Sequence, residues 1–212
     1  MDDRGLSRRE VLQKCAALGG LTIMPSLKVP EMLSAWEELE KEKRSPTPHC
    51  ELGPFYKRLA PDKSTLRGAG DPGIPLKVSG CVWDVRGDQI PSATVEIWQT
   101  DHLGHYDIDG YRYRAALLSG KSGEYAFDSV MPGHYPSRVC QHIHYLVRAP
   151  GHKPIVTQLY FATDPVFEGD PDKNYTRDNV ITSRELVRPV MLKGDPGSLQ
   201  AEVHFDLVLE RL

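Results

Sequence analysis

The sequence predicts an all-β fold, a β-sandwich core with an N-terminal helical arm and long irregular loops. Three observations carry that prediction. Apolar residues recur at every second position in several short runs, the period of a half-buried strand. The runs are punctuated by glycine and aspartate turns at short intervals, as in a sandwich of short antiparallel strands. Gly (18) and Pro (17) together make up about a sixth of the chain, against about 12% in average usage. With 212 residues, 40% of them hydrophobic and 26% charged, and a mean hydropathy of -0.42, the chain has the length and composition of one globular domain with appendages.

Taken in order, residues 1–29 read as an export signal. Ser7-Arg8-Arg9-Glu10-Val11-Leu12 precedes a weakly hydrophobic, glycine-containing run to Met24, the twin-arginine pattern. That run is too short to span a bilayer, which takes roughly 20 apolar residues. Export to the periplasm or the extracellular space is the expectation, with a cytoplasmic chain as the alternative. Residues 30–45 form a helical arm or linker in which Met32, Trp36 and Leu39 make one apolar stripe over 30–44, a surface suited to packing on the body or on a second subunit. Ser45-Pro46-Thr47-Pro48 ends it and opens the domain of residues 46–212, which begins as proline-punctuated loop.

Period two sets in at Leu76, runs through Cys81-Val82-Trp83-Asp84-Val85 and resumes at Ala93, Val95 and Ile97 after the turn Arg86–Gln89. Tyr125-Ala126-Phe127 follows a second glycine turn, and two more strands lie at 142–149 and 155–162. Residues 108–116 and 164–200 read as loop. The last strand alternates most cleanly, with Ala201, Val203, Phe205, Leu207 and Leu209 on one face.

The formal net charge is -3, and Lys and Arg gather on no single face, which argues against nucleic acid as a partner. Cysteines stand at 15, 50, 81 and 140. No Cys-x-x-Cys pair suggests a zinc knuckle, and the pairing of Cys50, Cys81 and Cys140 is left open.

The chemistry concentrates in His142 and His144, Tyr106 and Tyr135. Two residues apart on a strand, both imidazoles point to one side and can reach one ion. Taken alone, either histidine reads as an ordinary satisfied or exposed residue rather than a ligand, and each tyrosine as a loop-edge aromatic. A phenol ionises near pH 10, so tyrosine ligands need a strongly positive partner such as ferric iron, a hard cation that favours anionic oxygen.

The ordered series Gly53-Pro54-Phe55-Tyr56, Ser79-Gly80-Cys81-Val82, Val95-Glu96-Ile97-Trp98-Gln99, Gly104-His105-Tyr106-Asp107, Gly123-Glu124-Tyr125-Ala126-Phe127, Met131-Pro132-Gly133-His134-Tyr135-Pro136, His142-Ile143-His144 and Gln158-Leu159-Tyr160-Phe161 resembles the intradiol ring-cleavage dioxygenases, the catechol and protocatechuate enzymes among them. The resemblance spans roughly residues 46–165 and fits the closing strand. It implies a β-sandwich catalytic core binding non-haem Fe(III) through Tyr106, Tyr135, His142 and His144. It further implies a small catechol-like substrate cleaved by O2 to a muconate-type dicarboxylate. Tyr135 would leave the metal and accept a substrate proton. Arg138 would stabilise charge developing on the ring, and it stands four residues before His142 where the family's usual spacing is three. Gln158 matches a substrate-facing position, and Tyr56 and Tyr160 are the remaining substrate-binding candidates. A homo-oligomer is possible, and neither nucleic acid nor a membrane span is expected.

Two other classes fit parts of the sequence. The Gly80–Glu96 stretch also resembles the non-enzymatic prealbumin-like β-sandwich modules that bind partners. The His pair with Asp101 or Asp107 could instead serve zinc or ferrous iron. His105 and His134 each precede a proposed ligand, but their strand neighbourhood points them away from it. Cys140 reads as an inert buried thiol, and Trp83 and Trp98 as packing residues.

Overall fold

The computed structural model describes residues 42–212 apart from 137 and 196. The expected export signal and residues 30–41 of the expected helical arm lie outside the described residues, and 42–45 have no regular structure. Among the described residues ten strands are present: β1 (Pro75–Asp84), β2 (Thr94–Trp98), β3 (Arg114–Leu118), β4 (Glu124–Val130), β5 (His142–Arg148), β6 (Ile155–Phe161), β7 (Val187–Arg188), β8 (Val190–Lys193), β9 (Gln200–His204) and β10 (Leu207–Leu209). One sheet has the order β10-β1-β9-β8 with β4 also on β1, and the other the order β3-β2-β5-β6-β7. The expected all-β sandwich is what the chain forms.

Alternation explains why these segments are strands. In β1, Leu76, Val78 and Val82 are buried while Lys77 is exposed, and in β5 Ile143, Tyr145 and Val147 point into the core between the sheets. Tyr145 meets Tyr125, Phe127 and Phe205 at ring-centroid distances of 6.4, 6.5 and 5.4 Å. Such edge and tilted aromatic pairs each add about 0.5–1.5 kcal/mol beyond the area they bury. They join the two sheets into one core.

β1 is long enough to serve three partners. It runs antiparallel to β4 from Pro75 to Cys81, parallel to β9 from Leu76 to Ser79, and parallel to β10 from Val82 to Asp84. The last strand read from the sequence is therefore two strands, separated at Phe205-Asp206. There the Asp206 carboxylate accepts the Cys81 N–H at 2.8 Å in place of a ladder carbonyl. The Phe205 carbonyl turns against Gly80, where a Cβ would sit 2.0 Å from it.

Two segments read as loop prove to contain strands. β3 lies partly within 108–116; its sequence, RAALL, shows no polar–apolar alternation. The 164–200 stretch holds β7 and β8 together with a helix of one turn (Pro171–Asn174), which begins with the Asp170 side chain accepting the Lys173 N–H. The three described cysteines, Cys50, Cys81 and Cys140, are all free thiols.

Gly80→Ala is expected to lower unfolding stability by about 3 kcal/mol, the upper range for forcing atoms into a packed interior. Urea denaturation would show this as a lower midpoint at unchanged slope; an unmoved midpoint would mean that Phe205 moves aside freely.

Candidate metal centre

Strand register assembles the first half of the site. Arg114 of β3 pairs with Trp98 of β2, Trp98 with His144 of β5, and His144 with Gln158 of β6. These four side chains thus form one row across the sheet, on the face opposite the core, because successive residues of a strand alternate sides. His142 and Tyr160, paired with each other, lie two residues along on the same face. Trp98 stacks flat on His144, with centroids 4.9 Å apart and planes at 5°, and the Gly53 backbone closes in on the ring, where a Cβ would meet His144 Cε1 at 3.1 Å.

Two loops deliver the tyrosines. Asp101 folds the first, its Oδ1 accepting the N–H groups of Leu103 and His105 at 2.9 Å, while the Asp107 carboxylate accepts those of Gly110 and Arg112 at 2.7 and 2.8 Å. Both carboxylates are thereby spent on turns that bracket Tyr106. The second loop meets the first backbone to backbone. Gly133 N–H donates to the Asp101 carbonyl at 2.7 Å. Gly104, at φ +90°, passes so near the His134 carbonyl that a Cβ would sit 1.8 Å from it. Only glycine permits that approach in that conformation. It carries Tyr135 towards Tyr106, and a turn closed by Arg138 N–H on the Tyr135 carbonyl at 2.9 Å follows at once.

The four rings proposed as ligands come together. Centroid separations are 5.6 Å for Tyr106–Tyr135, 5.7 Å for Tyr135–His142, 4.8 Å for His142–His144 and 6.4 Å for Tyr106–His144. His142 Nδ1 lies 2.8 Å from the Cys140 carbonyl. A carbonyl only accepts, so Nδ1 carries the proton and Nε2 presents its lone pair. His142 Nε2, His144 Nδ1 and Tyr106 Oη are buried without a hydrogen-bond partner. Buried polar atoms without partners on three of the four rings are costly unless something binds them, and two phenols with two imidazoles make a donor set suited to a hard trivalent cation. Among the described residues no group of three or more His, Cys, Asp and Glu side chains gathers as a metal site, so the carboxylate-assisted zinc or ferrous arrangement is not what the fold builds.

Electrostatics at the centre follows from burial. Burial, and then the neighbouring Tyr135, holds the Tyr106 phenol well above its ordinary range, so ionising it here calls for a strong nearby charge. Burial also raises Tyr135, opposed first by the Arg138 guanidinium. His142 is pushed down to about 4 by burial and then by Arg138, and His144 is held well below its ordinary value by burial and then by His142. Both imidazoles are therefore neutral and free to ligate at neutral pH.

Arg138 is nine-tenths buried beside the cluster, despite the extra residue before His142. Its Nη2 donates to Gln158 Oε1 at 2.9 Å and to Tyr160 Oη at 2.7 Å, and its Nε lies 3.5 Å from Asp178 Oδ2. Tyr160 Oη in turn donates to Gln158 Oε1 at 2.7 Å, and Gln158 Nε2 donates to the Glu51 carbonyl at 3.0 Å. Gln158 and Tyr160 thus grip the guanidinium. Tyr56 stands one layer back, its ring edge against Trp98 at 5.1 Å and its hydroxyl donating to Glu96 at 2.9 Å. The Glu96 carboxylate also pairs with Arg148. His105 is exposed near Asp101 and His134 pairs with Asp164, so neither joins the four rings. The Cys140 thiol is buried, and burial raises it far above its ordinary value, as suits an unreactive group.

Three participants escape the sequence reading. Phe55 was visible only as part of a motif, yet its ring stacks on Tyr106 at 4.2 Å and 16°. Arg114 enters through β3, a strand that the sequence does not reveal. Asp178 arrives from the irregular 164–200 stretch, and only the fold brings that stretch to Arg138.

Sheet register and donor set together define a β-sandwich with a buried phenol–imidazole centre. A family model described as dioxygenase matches residues 52–211, about three quarters of the chain, and the chain belongs to that family. It is 30% identical over 186 residues to the hydroxyquinol 1,2-dioxygenase of Nocardioides simplex, covering 74% of this chain and 62% of that protein. Against the catechol 1,2-dioxygenase of Acinetobacter baylyi the identity is 31% over 196 residues, covering 78% and 63%. The chain thus spans about three fifths of the length of these curated relatives. Among solved structures, the dioxygenase domain of a dioxygenase carbohydrate-binding fusion from Streptomyces sp. SirexAA-E superposes with a TM-score of 0.69 at 32% identity, covering 79% of this chain and all of that domain.

The depressed histidines set a pH dependence. The unfolded chain takes up protons on His142 below its ordinary value near 6.5, whereas the folded chain resists until about 4. Stability of the metal-free protein is then full above pH 6.5 and declines as pH falls to 4, by roughly 3 kcal/mol for His142. Urea titrations across that window should show the decline, and His142→Gln should flatten it; an equal slope in the variant would place the effect elsewhere.

Proposed function

We propose that the protein is an Fe(III)-dependent intradiol dioxygenase that opens a catechol-type ring between its two hydroxylated carbons, yielding a muconate-type dicarboxylate. The observation that carries this reading is the convergence of two phenols and two imidazoles with buried polar atoms on three of the four rings left without partners. Tyr106, Tyr135, His142 and His144 would hold the ion. When bound, ferric iron supplies the positive charge that lets buried phenols and a catechol ionise and makes the ring receptive to dioxygen.

The chain's own residues do the rest. His142, fixed as the Nδ1–H form by the Cys140 carbonyl, and His144, clamped between Trp98 and the Gly53 backbone, hold their ring planes without rearrangement. Tyr135, whose phenol is raised by burial against the opposing Arg138 guanidinium, would take a proton from a substrate hydroxyl. Arg138, gripped by Gln158 and Tyr160, offers a preorganised positive charge to the ring as negative charge builds on it.

Iron-loaded protein should be wine-red from phenolate-to-ferric charge transfer and should consume oxygen with a catechol. Tyr106→Phe should lose most of the colour and the turnover. Arg138→Ala should keep iron and colour but cleave about 100-fold more slowly, the scale of losing one preorganised electrostatic group. Visible spectra and oxygen-electrode traces check both, and a colourless iron-replete wild type would remove the reading.

We also infer, from Ser7-Arg8-Arg9-Glu10-Val11-Leu12, export through the twin-arginine route. Replacing Arg8 and Arg9 with Lys should leave the protein in the cytoplasmic fraction of an expressing cell; unchanged export would refute the inference. Among the described residues no helix is long and apolar enough to cross a membrane.

A further inference from the structure

We propose that Arg114 is a positioning residue for Tyr106, a clamp that joins the two backbone segments whose rings stack at the centre; the inference rests on the ferric reading above. The Arg114 side chain leaves β3 in the same cross-strand row as Trp98, His144 and Gln158. The residue is 2% exposed. Its Nη1 donates to the Phe55 carbonyl at 2.6 Å, and its Nε and Nη2 donate to the Asp107 carbonyl at 3.3 and 3.1 Å. Phe55 is the residue whose ring lies flat on Tyr106, and Asp107 is the residue that follows Tyr106. One guanidinium therefore holds both sides of the ring stack.

Three features make this more than packing. Among the described residues Arg114 forms no ion pair with a carboxylate, and the adjacent Asp107 carboxylate is taken by the Gly110 and Arg112 N–H groups. A buried cation with no carboxylate in direct contact, the Asp107 charge acting only from a distance, is costly, so a side chain merely filling space at this position would do better uncharged. The two acceptors lie on separate segments, which a planar fork of several N–H donors can bridge and a lysine ammonium cannot match in the same geometry. The guanidinium carbon also sits 5.8 Å from the centre of the Tyr106 ring, so a change at Arg114 bears directly on the phenol proposed as ligand. Groups that orient a metal ligand typically alter metal affinity 10- to 100-fold when removed.

The test uses the full chain and ferric ion alone, titrated against a competing chelator, with visible absorption as the second readout and near-ultraviolet circular dichroism to establish folding. Folded Arg114→Met should bind ferric ion about 10- to 100-fold more weakly and show a displaced visible band. Arg114→Lys, which keeps the charge without the fork, should fall closer to Arg114→Met than to wild type. Phe55→Leu, which removes the stacked ring and leaves Arg114 in place, should change both readouts in the same direction. Wild-type affinity and an unmoved band in folded Arg114→Met would overturn the proposal. Should that variant not fold, the same two results in folded Arg114→Lys would overturn it. A wild-type chain that takes up no ferric ion would instead overturn the reading of the centre itself, and the clamp with it.

Discussion

The register of four antiparallel strands within one sheet governs the rest of this structure. Because β2, β3, β5 and β6 are paired without slippage, Arg114, Trp98, His144 and Gln158 line up on one face while Ile143, Tyr145 and Val147 point to the other. A shift of one residue would exchange the faces, driving two imidazoles into the hydrophobic core and aromatic core residues outward. The burial of Tyr145 against Tyr125, Phe127 and Phe205 is therefore what fixes where His142 and His144 point. Core packing and site geometry are two sides of one constraint.

That constraint accounts for half of the centre only. The phenols come from loops, and loops have no ladder to hold them. Here the substitute is close backbone contact between Gly104 and the 133–134 segment together with carboxylate-capped turns at Asp101 and Asp107. Positional accuracy in the loops is thus achieved through glycine and aspartate rather than through bulk. The same economy appears at Arg138, where Gln158 and Tyr160 from β6 lend a strand's rigidity to a side chain on a turn.

Much of this was legible in the sequence. Alternation located β1, β2, β5 and β6, and the His-x-His spacing on a strand placed both imidazoles on one face. The ordered motifs singled out Tyr106, Tyr135 and Arg138, which the fold gathers beside the histidines. What stayed hidden has physical reasons. β3 carries small and apolar residues in succession, so it shows no period two, and Arg114 went unseen with it. β9 and β10 read as one strand because the apolar face continues through Phe205, whereas the interruption is made by a side chain, Asp206, replacing a ladder carbonyl. Asp178 belongs to a stretch whose approach to Arg138 is a tertiary fact with no local signature. Tyr56 was visible as a motif residue, but its hydroxyl is committed to Glu96, a partner 40 residues away that no spacing rule connects.

The solitary state of Cys50, Cys81 and Cys140 bears on where the molecule can mature. Nothing in the described domain waits for an oxidant, so the sandwich can be completed among glutathione-reduced surroundings. Sulfur that never cross-links also leaves assembly of the buried centre independent of disulfide isomerases, wherever the finished protein ultimately works.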